Sequence, residues 1–325
     1  MKLNPVKLIK TEQLQTAILF LVFNRPDTTE KVFEKICQVK PKRLYIAADG
    51  PRHEYENEEE KVAKVREIVT RINWPCELKT LFRKKNLGCK KAVSESITWF
   101  FEHEEQGIIL EDDCLPHVDF FSFCETLLER YANDSRIFAV TGNNFQNNIW
   151  HGEASYYFSK YLMIWGWASW RRAWNNYQLN MPFWPEWSKS KAWLEHTPDK
   201  IERNYWERIF ERMLLNKIDT WDYPWVASAW YKGGLTATPN MNLISNIGFR
   251  EDATHTISKN SEFSKMPVKA LGAIKHPANV FRNVKADNWT FDHHYGGKNL
   301  RFPYNWIIFP RRIFRYIFHK IKNFF

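Results

Sequence analysis

An apolar run at residues 107–110, Gly-Ile-Ile-Leu, breaks off into three consecutive carboxylates, Glu111, Asp112 and Asp113. The run reads as a buried strand. Three anions at one strand end repel each other and are costly in a sheet core unless a metal, basic groups or water neutralise them. A hard divalent ion is the simplest neutraliser, because Mg2+ and Mn2+ take oxygen ligands and keep one or two protein carboxylates while a substrate's phosphates complete the shell. The triplet therefore points to a nucleoside-diphosphate ligand, against the plainer reading of a solvated acidic turn.

What precedes the triplet sets the fold class. Residues 16–23 form a near-continuous apolar run that stops at Asn24-Arg25-Pro26, and residues 27–39 then place Val32, Phe33 and Ile36 at helical spacing. A second strand is expected over 43–48, closed by Asp49-Gly50-Pro51, then an amphipathic helix over 58–72, a strand over 77–82 and a helix over 90–103. Strands alternating with crossover helices predict an α/β domain with a mostly parallel central sheet flanked by helices. Ligands bind such sheets at the carboxyl ends of the strands. All four ends carry polar candidates there: Asn24 and Arg25, Asp49 and Gly50, residues 83–88, and residues 111–113.

Beyond the triplet, a helix is expected over 119–131 and a strand over 137–142, after which the alternation fades. Residues 156–177 are crowded with aromatics, and 184–217 reads as helix interrupted at Pro198. The chain holds 16 Trp, 13 Tyr and 24 Phe, an excess that suits either a sugar or nucleotide platform or a large aromatic core. Five cysteines form no CxxC pair, so neither a zinc site nor a disulfide framework is indicated and a reducing cytoplasm is expected. Residues 1–16 carry Lys2, Lys7 and Lys10 without an apolar core, and no segment reaches the ~20 apolar residues of a membrane span. Of the net charge of +10, seven positive charges fall in the last 28 residues, leaving 40 basic against 37 acidic residues elsewhere. A basic surface over the whole molecule is not suggested, and nucleic acid is not an expected partner.

The order Asn24-Arg25, Asp49-Gly50, Asn86-Leu87-Gly88 and then Glu111-Asp112-Asp113 resembles nucleotide-sugar glycosyltransferases of the GT-A fold. With Asp119-Phe120-Phe121, Gly166-Trp167 and Trp221-Asp222, it looks most like the N-acetylglucosaminyltransferase I group. The resemblance covers residues 16–256; segment 143–155 and the last 70 or so residues depart from the pattern. It implies that Asp113 ligates a Mn2+ or Mg2+ ion bridging the diphosphate, while Asp112 and Glu111 face the ribose and donor sugar. Asp49 would take the base or ribose, Arg25 and Asn24 would stand near the nucleotide, and Asn86 would belong to the donor site.

Sugar transfer with inversion also needs a base for the acceptor hydroxyl. Asp222, among Trp221, Tyr223 and Trp225, is the first candidate and sits where the resembled family places its base; a helix N-cap is the competing reading, and Asp219 is the alternative base. His255, in the polar loop 245–256, is expected as a further metal ligand, with His293 and His294 as a weaker second choice. In the tail, Ile313, Ile317, Ile321 and Phe324 share one helical face and Arg312, Arg315, His319 and Lys322 another. That pattern reads as an in-plane anchor on anionic lipid, or as a helix docked on the domain.

The expected organisation is an extension at 1–15, a catalytic domain over 16–300 divided into a nucleotide-sugar half (16–116) and an acceptor half (117–300), and a basic tail over 301–325. The expected activity is metal-dependent, inverting transfer of a sugar from a nucleotide diphosphate, UDP first among them, to a glycan or lipid-linked acceptor at the cytoplasmic membrane face. A sugar nucleotidyltransferase and a non-catalytic carbohydrate-binding protein are the alternatives.

Overall fold

A computed structural model describes residues 13–249, 263–264 and 266–305. The first half alternates as expected: β1 (Ala17–Val22), α1 (Pro26–Val39), β2 (Arg43–Ala48), α2 (Glu58–Val69), β3 (Glu77–Phe82), α3 (Cys89–His103) and β4 (Gln106–Glu111). There follow β5 (Cys114–Pro116), α4 (Asp119–Arg130), β6 (Ile137–Thr141), β7 (Tyr156–Ser159) and β8 (Trp167–Trp170). The helices α5 (Arg171–Trp174), α6 (Trp184–Trp187), α7 (Lys191–His196), α8 (Lys200–Leu214) and α9 (Asp222–Tyr231) come next, then β9 (Leu235–Pro239), β10 (Ile244–Asn246) and α10 (Val284–His293).

Eight strands make one sheet in the order β3-β2-β1-β4-β8-β6-β9-β7. The first four run parallel; β8 lies antiparallel between β4 and β6, β9 is parallel to β6, and β7 closes the edge antiparallel. One mostly parallel sheet thus spans both halves of the chain. The period of two along β1 divides its side chains between two cores. Ile18, Phe20 and Val22 pack with Val32, Phe33 and Ile36 of α1, with Val65 and Ile68 of α2, and in a core shared with Phe120 and Leu127 of α4. Ala17, Leu19 and Leu21 face Ile97, Phe100 and Phe101 of α3 and the aromatic second half.

The tryptophan excess mostly fills that second core. Trp167, Trp193, Trp206, Trp221, Trp225 and Trp230 are all fully buried or nearly so, which decides between the two readings of these six residues in favour of packing. The stretch expected as one helix broken at Pro198 is two short helices, α6 and α7, followed by the 15-residue α8. Ser190 caps α7 by accepting from the Trp193 N–H, and Asp199, directly after the proline, caps α8 by accepting from Ile201 and Glu202.

Candidate active site

Parallel pairing sets the strand ends level: Leu21 is opposite Glu111, Val22 opposite Ala48, and Ala48 opposite Phe82. The polar residues after β1, β2, β3 and β4 therefore share one rim, the edge at which open α/β sheets bind ligands.

On that rim Asp112 and Asp113 are both buried, and the cation that meets them is Arg25. Its guanidinium Nη1 stands 2.7 Å from Asp113 Oδ2 and 3.6 Å from Asp112 Oδ1. The Phe23 N–H donates to Asp112 Oδ2 at 3.1 Å, which ties the triplet to the end of β1. One guanidinium against three carboxylates leaves the cluster negative. Burial, then the charges of Asp113, Asp112 and Asp222, push Glu111 up to about 8. Burial also lifts Asp112 to about 7, with Arg25 opposing and Asp113 adding to the rise. For Arg25, burial alone would lower the pKa; the neighbouring carboxylates outweigh it and the pKa is raised.

The chain after β10 closes over Asp113. β10 pairs antiparallel with β5, Ile247 N–H donates to the Asp113 carbonyl at 2.8 Å, and a Cβ placed on Gly248 would come within 2.1 Å of Asp113 Oδ2. Only glycine permits that approach. No three His, Cys, Asp or Glu side chains among the described residues form a ready-made metal cluster. The donor set nevertheless fits a hard divalent ion that brings much of its own shell: the ligands are carboxylate oxygens and the unbalanced charge is negative.

Asp222 opens α9, one residue inside the cap position held by Trp221, so it is not the N-cap that the competing reading expected. Its Oδ1 accepts from the Thr220 hydroxyl and, at 2.9 Å, from the Tyr223 N–H, which fixes the plane of the carboxylate. Its charge is felt by Glu111 and by the half-buried Cys89 thiol, which desolvation and then Glu111, Asp222 and Asp219 push up. Asp219 Oδ2 lies 3.6 Å from the position of a Gly88 Cβ. Cys89, which sequence patterning did not single out, therefore lies within reach of the charges of Glu111, Asp222 and Asp219.

Asp49 and Asn86 have an architectural task. The Asp49 carboxylate accepts from the N–H groups of Gly50 (2.9 Å), Leu87 (3.0 Å) and Gly88 (3.2 Å), and Asn86 Nδ2 donates to the Gly50 carbonyl at 2.8 Å. Together they clasp the loop after β3 to the loop after β2. Asp49→Ala leaves buried N–H groups without an acceptor and should cost about 2 kcal/mol in denaturant unfolding. An unchanged midpoint would contradict the clasp. Asn24 is likewise engaged, donating to Glu58 Oε1 at 2.8 Å, and Glu58 pairs with Arg52. Glu58 is buried although it opens an acidic helix that reads as solvated, so no local signal marked it.

His255 lies outside the described residues, as do residues 306–325 of the tail. His293 and His294 belong to an aromatic cluster instead: the His294 ring stacks on Phe145 at 3.8 Å and that of His293 on Trp289 at 3.6 Å. Burial pushes His294 down to about 3, so its ring is neutral at pH 7.

No family model matches the chain, and no curated protein matches it. Solved structures do. HddC from Yersinia pseudotuberculosis aligns at 9% identity over 53% of this chain and 86% of its own, with a TM-score of 0.32. UDP-glucose pyrophosphorylase complexed with UDP-glucose aligns at 13% identity over 43% of this chain and 65% of its own, with a TM-score of 0.25. The apo glycosyltransferase GlyE of Streptococcus pneumoniae TIGR4 aligns at 12% identity over 63% of this chain and 44% of its own, with a TM-score of 0.28. Likeness at this level assigns no activity, which has to be argued from the rim itself.

Proposed function

We propose that this protein is a metal-dependent glycosyltransferase of the GT-A fold, resembling the N-acetylglucosaminyltransferase I group, that transfers a sugar with inversion from a nucleoside diphosphate to a glycan or lipid-linked acceptor. UDP is the proposed nucleotide. The observation that carries the reading is the negative triplet at the carboxyl end of β4, held by Arg25 and faced by Asp222 from another element.

In this reading Asp113 holds Mn2+ or Mg2+, with His255 as the further ligand, and Asp112 and Glu111 orient the ribose and the donor sugar. The ion would supply positive charge against the diphosphate as it leaves. Arg25, now paired with Asp113, faces the phosphates once a nucleotide is bound. Asp222 takes the proton of the acceptor hydroxyl as that oxygen attacks the anomeric carbon, and the Thr220 and Tyr223 hydrogen bonds keep its carboxylate oriented. The Asp49–Asn86 clasp sets the shape of the nucleotide rim.

Incubation with a panel of UDP-sugars and Mn2+ tests the class. Release of UDP is expected; formation of UTP on adding pyrophosphate, without UDP release, would move the chain to the nucleotidyltransferases. The basic tail is proposed to seat the protein on anionic lipid. Among the described residues no helix is long and apolar enough to cross a membrane. Deleting residues 311–325 should abolish co-sedimentation with phosphatidylserine vesicles while leaving the unfolding transition in place; unchanged sedimentation would reject the anchor.

A further inference from the structure

A concavity of about 210 Å³ lies between segment 144–148, the turn at 240–242 and the end of α10. Its chemistry is the opposite of the rim's. The residues lining it include Asn147, Asn148, Phe145, Trp289 and His293, and none of the described lining residues is Asp, Glu, Lys or Arg.

The frame of this cleft is rigid. Asn144 N–H donates to Asn242 Oδ1 at 3.1 Å, Asn144 Nδ2 to the Pro239 carbonyl at 2.5 Å, and Gln146 Nε2 to Thr290 Oγ1 of α10 at 2.7 Å. At its mouth the situation changes. Asn147 and Asn148 stand consecutively at φ of 48° and 65°, a left-handed pair that non-glycine residues rarely adopt and that recurs where a binding loop is held in one shape. Both side chains are exposed. Among the described residues no hydrogen bond occupies the Asn147 amide, and Asn148 only accepts, from Lys269 Nζ at 3.3 Å. Each amide offers paired donors and acceptors, the complement of a ring of hydroxyls, beside the aromatic walls of Phe145 and Trp289. Among the described residues a cationic ligand finds no carboxylate in the lining, and one Lys, Lys269, stands at the mouth on Asn148.

We infer that this cleft binds a neutral sugar unit of the acceptor, with Asn147 and Asn148 reading its hydroxyls and Trp289 backing its apolar face. As a sugar site the cleft stands on its own lining; its assignment to the acceptor rests on the glycosyltransferase reading. An edge-to-face chain from Phe145 through Trp165 to Phe249, with centroids 5.0 and 5.8 Å apart, leads to Gly248 against Asp113 and places the cleft beside the donor rim.

The test uses the full chain on an array of neutral and acidic oligosaccharides, followed by solution titration of the best neutral binder. Asn147→Gly with Asn148→Gly keeps the left-handed backbone and removes both amides; binding should weaken at least tenfold while titration of UDP with Mn2+ is unchanged. Trp289→Phe should weaken it further without a shift in the unfolding midpoint. Asp113→Asn should lose nucleotide binding and leave sugar binding intact; a parent protein that binds the sugar but no nucleotide would sink the donor reading and spare the cleft. Binding of acidic glycans only, of no glycan, or of neutral glycans equally by the double glycine variant overturns the inference.

Discussion

Asp222→Asn should lower kcat by a factor of about 10² to 10⁴ while the affinity for nucleoside diphosphate stays within about twofold of the parent, the range expected when a general base is lost. The substitution is close to isosteric. The amide oxygen can still accept from the Thr220 hydroxyl and the Tyr223 N–H, so the start of α9 is preserved and the loss is confined to the proton acceptor. Removing the charge also relieves Glu111 of one of the three carboxylates that push it up. Steady-state kinetics with varied acceptor, beside a nucleotide titration, separates the two effects. Full retention of kcat would remove Asp222 as the base and turn attention to Asp219, whose charge also acts on Cys89.

The second large effect is expected at Asp113. Asp113→Asn should reduce Mn2+-dependent nucleotide affinity on the order of 100-fold, because a divalent ion at this rim has few protein ligands and this one is central. Folding should survive, since the change removes one of three mutually repelling anions and leaves Arg25 beside Asp112 at 3.6 Å. The unfolding midpoint should hold while binding is lost. A variant that binds nucleotide as before would show that Asp113 serves only to pair Arg25.

The two halves of the chain differ in how far their sequence could be read, for a physical reason. β1, β2 and β4 lie inside the sheet, and strands covered on both faces appear as apolar runs; β3 is the half-exposed edge strand, yet it and β2 occupy the ranges expected for them. In the second half the pattern breaks down. β8 is Trp-Ala-Ser-Trp and β9 is Leu-Thr-Ala-Thr-Pro, neither an apolar run, yet both lie inside the sheet because the aromatic core covers what their own side chains do not. The triplet and Asp222 stood out as candidates, since carboxylates after an apolar strand and among aromatics carry a local signal. The use of Asp49 and Asn86 was not, because a clasp between loops after β2 and β3 depends on where two distant turns meet. Arg25 was expected near the nucleotide; its pairing with Asp113 came from the parallel register of β1 and β4, which no local window contains.

Calorimetric titration of UDP, GDP, ADP and CDP in Mn2+, repeated in chelator, asks whether this rim binds a nucleoside diphosphate through a divalent ion. Binding of one nucleotide in Mn2+ that disappears in chelator is the predicted result. Binding of none, or binding that chelator leaves unchanged, would contradict it.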